Sequence, residues 1–234
     1  ADGVGGLRVI DISDPENLSE DSACDTPDPA LDVVRAGHHA LVADGERGLR
    51  IIDVSDPYAA AETGAYDVTS AAWSIVVSST LAYIGDYYYG PGSAMGALRI
   101  VDVSDPVHPQ QAGFAELSGR GAGVGLSGGY AYLAGEEAGL LVVDVSDPSS
   151  PGEVASFDTS KLAHDVAVSG THAYLAESQG LFLFDVSDPL LPAQAGFWPT
   201  PGDSLSAVAV SGHYAYVGAG RDNLYILDVS DPAM

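Results

Sequence analysis

Three groups of residues in this chain have the types and spacing that chemistry uses. Gly125-Leu126-Ser127-Gly128-Gly129 has the spacing of a serine nucleophile set between glycines. The overlapping Gly123-Val124-Gly125-Leu126-Ser127-Gly128 has that of a glycine loop cradling a phosphate. Paired carboxylates three apart, such as Asp144 and Asp147, could share a cation. Six histidines, His38, His39, His108, His164, His172 and His213, could carry protons or ligate a metal.

Each group loses force once its surroundings are read. A nucleophile elbow or dinucleotide loop needs a helix next. Both glycine motifs align instead with Val-Ala-Val-Ser-Gly at 166–170 and 208–212, where a hairpin turn follows. The aspartate pair recurs throughout the chain: Asp-Val-Ser-Asp-Pro stands at 53–57, 102–106, 144–148, 185–189 and 228–232, with Asp-Ile-Ser-Asp-Pro at 11–15. A shared metal would then need six sites. Asp and Ser side chains that bond nearby amides, followed by a proline that forbids a further ladder bond, make a strand terminator. His38, His39, His172 and His213 fall at corresponding turns of different units, which a ring keeps apart. His164, beside Asp165, opens an innermost strand, but the equivalent positions Leu31, Trp73, Ala122 and Ser206 add no second ligand type. The expectation is no catalytic residue, no metal ligand and no cofactor.

The elements that carry these residues follow from the repeat. Successive terminators begin 42, 49, 42, 41 and 43 residues apart, the period of four-stranded propeller blades. An apolar run precedes each one, as in Leu140-Leu141-Val142-Val143, and reads as a strand buried on both faces. The fifth unit shows the whole pattern: a strand over 163–169, a return over 172–176, a third strand over 181–186, the terminator, and a fourth strand over 193–198. The chain therefore reads as all-β, a single propeller over 1–234 with five to six blades of four antiparallel strands. Units at 1–30 and 205–234 are partial, as in an excerpt of a longer array. The acidic segment from Glu16 to Asp28 stands in place of a clean fourth strand.

Composition narrows the partners. Eight Lys and Arg against 33 Asp and Glu give a formal charge of −25, which repels phosphate backbones and anionic lipid. Nucleic acid and direct membrane insertion are disfavoured, and basic partners or weakly held divalent cations are favoured. The single Cys24 excludes an internal disulfide, and no apolar run approaches a membrane span.

The recurrent Gly-Leu-x-Ile/Val-x-Asp-Val-Ser-Asp-Pro, with Val-x-Val-Ser-Gly and Ala-Tyr-Val/Leu-Ala, resembles the LVIVD repeat family of bacterial and archaeal surface or secreted propellers. The resemblance implies a propeller at the cell surface or outside the cell, without assigned catalytic residues. It supplies no functional positions.

Positions where the units differ are therefore the informative ones. The third unit inserts Asp86-Tyr87-Tyr88-Tyr89-Gly90-Pro91-Gly92-Ser93-Ala94-Met95-Gly96 where the fourth has a short loop. As a loop on the face that also carries Trp73, Arg120, Lys161, His164 and Asp203, it would offer exposed aromatic rings for binding. The expected site is Trp73, Asp86, Tyr87, Tyr88, Tyr89, Arg120 and His164, and the expected role is a non-enzymatic scaffold for a protein or glycan ligand. Two other roles remain open: a subunit of a surface layer or filament bridged by cations or neighbouring copies, and a propeller enzyme. The enzyme would need convergent carboxylates, His or Arg on inner strands, which here carry mainly Val, Ala, Gly and Ser.

Overall fold

The computed structural model describes residues 1–90, 93–200, 202–220 and 223–231, without the side chains of 88–90 and 93–95. The described secondary structure is strand and turn. The first sheet pairs β1 (Leu7–Asp11) with β2 (Ser19–Cys24). The second runs β3 (Asp32–Ala36), β4 (His39–Ala43), β5 (Leu49–Asp53) and β6 (Ala61–Tyr66). The third runs β7 (Ala71–Ser78), β8 (Leu81–Gly90), β9 (Ser93–Asp102) and β10 (Gln110–Leu117). The fourth holds β11 (Gly123–Ser127), β12 (Tyr130–Ala134), β13 (Leu140–Asp144) and β14 (Gly152–Phe157). The fifth holds β15 (Ala163–Ser169), β16 (His172–Glu177), β17 (Gly180–Asp185) and β18 (Ala193–Pro199), and the sixth β19 (Leu205–Ser211), β20 (Tyr214–Ala219) and β21 (Asn223–Asp228). All pairings are antiparallel between sequence neighbours, and β3, β7, β11, β15 and β19 lie side by side as the inner strands of a ring. The acidic segment after Glu16 does contain a fourth-type strand, β2. Ser19–Cys24 pairs along Leu7–Asp11, with one register shift between Val9 and Ile10, despite the charge.

The apolar runs are continuous because the middle strands lie between two cores. Leu41 packs with Leu49, Ile51, Ile75 and Ile84, whereas its neighbour Val42 packs with Leu7 and Ile52 on the other side of the sheet. Leu140 and Leu141 divide in the same way. Each core thus joins two successive blades, and a fully buried Leu or Ile contributes about 2 kcal/mol to holding them together.

The terminators behave as the sequence predicts. The first Asp of all six copies accepts the amide two residues on, as Asp144 Oδ1 does from Ser146 N at 2.9 Å. The second Asp of the first five copies repeats this, as Asp147 Oδ1 does from Ser149 N at 3.0 Å. Proline carbonyls past the turn lie against the preceding blade, where a Cβ on Gly64 or Gly113 would overlap Pro106 or Pro148. At the same position of the first blade, Ser22 Oγ donates to Pro57 O at 2.6 Å.

Candidate functional site

The end of the ring where second strands pass to third strands is built by one recurring contact. Gly45 bridges to Ala72 and Glu136 to Ala163, so the turn of one blade clasps the start of the next inner strand. At the start of the inner strand the ladder skips a residue in three blades, in two of them immediately after that clasp. The skipped residues are Trp73, His164 and Ser206. A bulge leaves its extra residue outside the ladder and re-aims it. These are the variable positions, and the bulge is why a tryptophan is tolerated there: Trp73 is 45% exposed.

Around Trp73 the structure assembles part of the expected site. Arg120 lies with its guanidinium 4.0 Å from the centre of the Tyr87 ring. Its Nη2 donates to the Tyr87 hydroxyl at 2.8 Å, and its Nη1 pairs with Glu136 at 2.8 Å. Trp73, Tyr87, Arg120, Gly121, Ala122 and Glu136 line one shallow depression. Glu136 was not singled out in the sequence, where it reads as an ordinary loop acid. Its backbone clasps Ala163 of the next blade while its carboxylate turns back to Arg120 of its own unit.

Several expectations need correction. The insertion is not a loop: β8 runs to Gly90 and β9 starts at Ser93, so it lengthens a hairpin of its own blade. Asp86 and Tyr87 are consequently strand residues and buried, at 0% and 6% exposure. Asp86 faces the blade interior, where Oδ2 accepts from Arg99 Nε at 3.1 Å, Arg99 Nη2 at 2.9 Å and Ser70 Oγ at 2.7 Å. Tyr87 serves as the support beneath Arg120 and not as an exposed contact. Tyr88 and Tyr89 belong to β8, and their side chains lie outside the described residues. His164 stands apart from Trp73, with Ser204 Oγ 3.5 Å from its Nε2. Lys161 lines a separate depression with Glu137 and Asp158, and Asp203 holds Asn223 at 3.1 Å.

The inner strands also carry more acid than their Val-rich composition suggests. Asp32 Oδ1 accepts from its neighbour Val33 N at 2.7 Å and Oδ2 from Ile75 N of the next blade at 2.8 Å. Asp165 does the same with Val166 N and Val208 N, each at 2.8 Å. Burial raises the Asp165 carboxyl to about 6 against the pull of these amides, and Asp32, three blades away, adds repulsion across the ring.

Antiparallel four-stranded sheets, succeeding one another around an axis with shared cores between them, define a β-propeller. The LVIVD repeat matches residues 1–26, 29–68, 70–114, 118–159, 161–198 and 202–234, and the chain belongs to the LVIVD repeat family. No curated protein matches it. Among solved structures it is similar to the computationally designed Ika8 protein, with a TM-score of 0.63 and 9% identity over 97% of this chain and 79% of that one. It is also similar to the computationally designed Ika4 protein, with a TM-score of 0.56 and 10% identity over 70% of this chain and 94% of that one. At these identities the likeness concerns the fold.

Proposed function

We propose that this propeller is a non-enzymatic binding scaffold, at the cell surface or outside the cell, that holds a protein or glycan ligand at the end of the ring marked by Trp73. The observation that carries this reading is the exposed Trp73 set out by a bulge beside Arg120, whose guanidinium is fixed by Tyr87 and Glu136. An aromatic ring with few rotatable bonds beside an immobilised arginine loses little entropy on contact, as recognition surfaces require. The charge of −25 favours solubility, and the resemblance to surface and secreted propellers supports the location.

Catalysis in the channel is a second reading, favoured by Asp165 with its carboxyl near 6, a value suited to proton transfer. Yet both of its oxygens already accept main-chain amides, and so do both of Asp32. That is the work of struts between blades.

The test is an array of oligosaccharides and extracellular proteins probed with the wild-type chain and with Trp73→Ala and Arg120→Ala. Replacing 86–96 by Ala-Gly-Glu-Glu-Ala-Gly would be a poor substitute, because it also removes the buried Asp86 and Tyr87. Retention of a ligand by the wild type, lost in Trp73→Ala, is the expected result. Equal retention by all three proteins would remove this end of the ring from consideration.

A further inference from the structure

We propose that a cleft on the side of the third blade, separate from the Trp73 depression, receives a lysine ammonium from a basic partner segment. The cleft, open to solvent, has a volume of about 260 Å³ between Thr69 and Ser70 on one side and Phe114 and Glu116 of β10 on the other, with Asp86 and Arg99 beneath. That is below the roughly 300–1,000 Å³ of pockets for whole small-molecule ligands and suits a single side chain.

The second blade provides an internal control. There Arg50, at the position of Arg99, reaches out to Asp67 at 2.8 Å, and the small Ala65 lies opposite it. In the third blade Phe114 replaces Ala65 as the residue opposite the arginine, and Glu116 replaces Asp67. Arg99 stays inside: its Nε and Nη2 go to Asp86, its Nη1 goes to Gln111 at 2.8 Å, and its guanidinium lies 5.0 Å from the Phe114 ring centre. Glu116 is therefore left exposed, with no hydrogen bond or ion pair to a described residue. At the floor, Asp86 Oδ1 is fully buried and has no hydrogen-bond partner among the described residues.

The donor and acceptor inventory selects the ligand. Arg99 commits Nε and one N–H of each Nη to Asp86 and Gln111, and above it the lining presents acceptors: the exposed Glu116 carboxylate and the Thr69 hydroxyl oxygen, with the solvent-shielded Asp86 Oδ1 beneath them. An ammonium brings three donors and no acceptor, and a lysine stem can lie along the apolar ring of Phe114, which is 41% exposed. A phosphate or carboxylate would meet two carboxylates. A sugar hydroxyl could donate to the same oxygens but would leave the Glu116 charge uncompensated. The surface charge of −25 draws basic segments to the whole molecule, and this cleft gives one of their side chains a fixed seat.

The experiment titrates the peptide acetyl-Gly-Lys-Gly-amide into the isotopically labelled chain and follows Thr69, Phe114 and Glu116 by nuclear magnetic resonance. Saturable shifts at these three residues are expected, with none from the counterpart carrying Nε-acetyl-lysine. Glu116→Gln should weaken binding about tenfold, the scale of one charge-assisted contact. Glu137→Gln, which removes an exposed charge elsewhere, should change it by less than about twofold. Shifts scattered over the acidic surface, equal losses in the two variants, or undiminished binding of the acetylated peptide would each overturn the proposal. The acetylated arm needs no variant and so does not depend on any substitution folding.

Discussion

Asp86, fully buried, accepts two hydrogen bonds from Arg99, and the chain contains its own control for this pair. At the same positions the second blade has Asp44 and Arg50, 3.5 Å apart, and the first has Asp2 and Arg8, 3.3 Å apart. The fourth blade has Gly135 and Leu141, so acid and arginine disappear together. In the fifth blade the acid survives as Glu177 while Phe182 replaces the arginine. Burial then raises the Glu177 carboxyl, and Thr159 and Lys161 only partly offset it.

The pair predicts a non-additive response. Arg99→Leu alone strands a buried carboxylate and should cost about 3 kcal/mol, the usual penalty for breaking a buried ion pair from one side. The double change Asp86→Gly with Arg99→Leu copies the fourth blade and should recover most of that loss. Urea unfolding of the two single variants and the double variant measures the coupling, and additive losses would contradict it.

The terminators predict acid sensitivity. Hydrogen bonds from Ser146 hold the Asp144 carboxyl below its ordinary 3.8, and Asp185 is lowered by Ser187 in the same way. A lowered carboxyl contributes stability that is present above the unfolded value and lost as pH falls through the folded one. Asp144→Ala should therefore lower the urea midpoint at neutral pH, and the difference from wild type should shrink as pH falls below the ordinary 3.8 and through the lowered folded value. The variant should bind any ligand as the wild type does.

Asp165 runs the other way. Its carboxyl is raised from 3.8 to about 6, so its contribution is fully present below 3.8 and declines as pH rises through 6. The raise corresponds to about 3 kcal/mol between those limits. A carboxyl carbon titration of Asp165 should have its midpoint near 6, whereas a midpoint below 4 would mean that the amides outweigh burial.

Much of this was readable in the chain because it is local or repeated. Asp144 and Ser146 sit two residues apart and recur six times, and Leu140-Leu141-Val142-Val143 is apolar on both faces whichever blade holds it. The bulge position of Trp73 was found by alignment with His164 and Ser206. What escaped notice depends on register. Asp86 looked like a loop residue because the inserted segment has no counterpart elsewhere. Only the pairing of Asp86 with Ala97 puts it next to Arg99 and continues the inward alternation that buries Tyr87. The meeting of Glu136 with Arg120 depends on how the two ends of one hairpin are brought together, and the repulsion between Asp32 and Asp165 requires the ring to curve, which no single unit encodes.

The most direct test of recognition at Trp73 is its own emission. In Trp198→Phe, Trp73 is the one remaining tryptophan, so a titration with an array-retained ligand reports on it alone. Contact by the ring predicts a blue shift, with a midpoint that is nearly the same at low and high salt. A midpoint that moves steeply with salt while Trp73 emission stays unchanged would contradict the account and assign binding to the acidic exterior, whose field is screened beyond about 8 Å at physiological ionic strength.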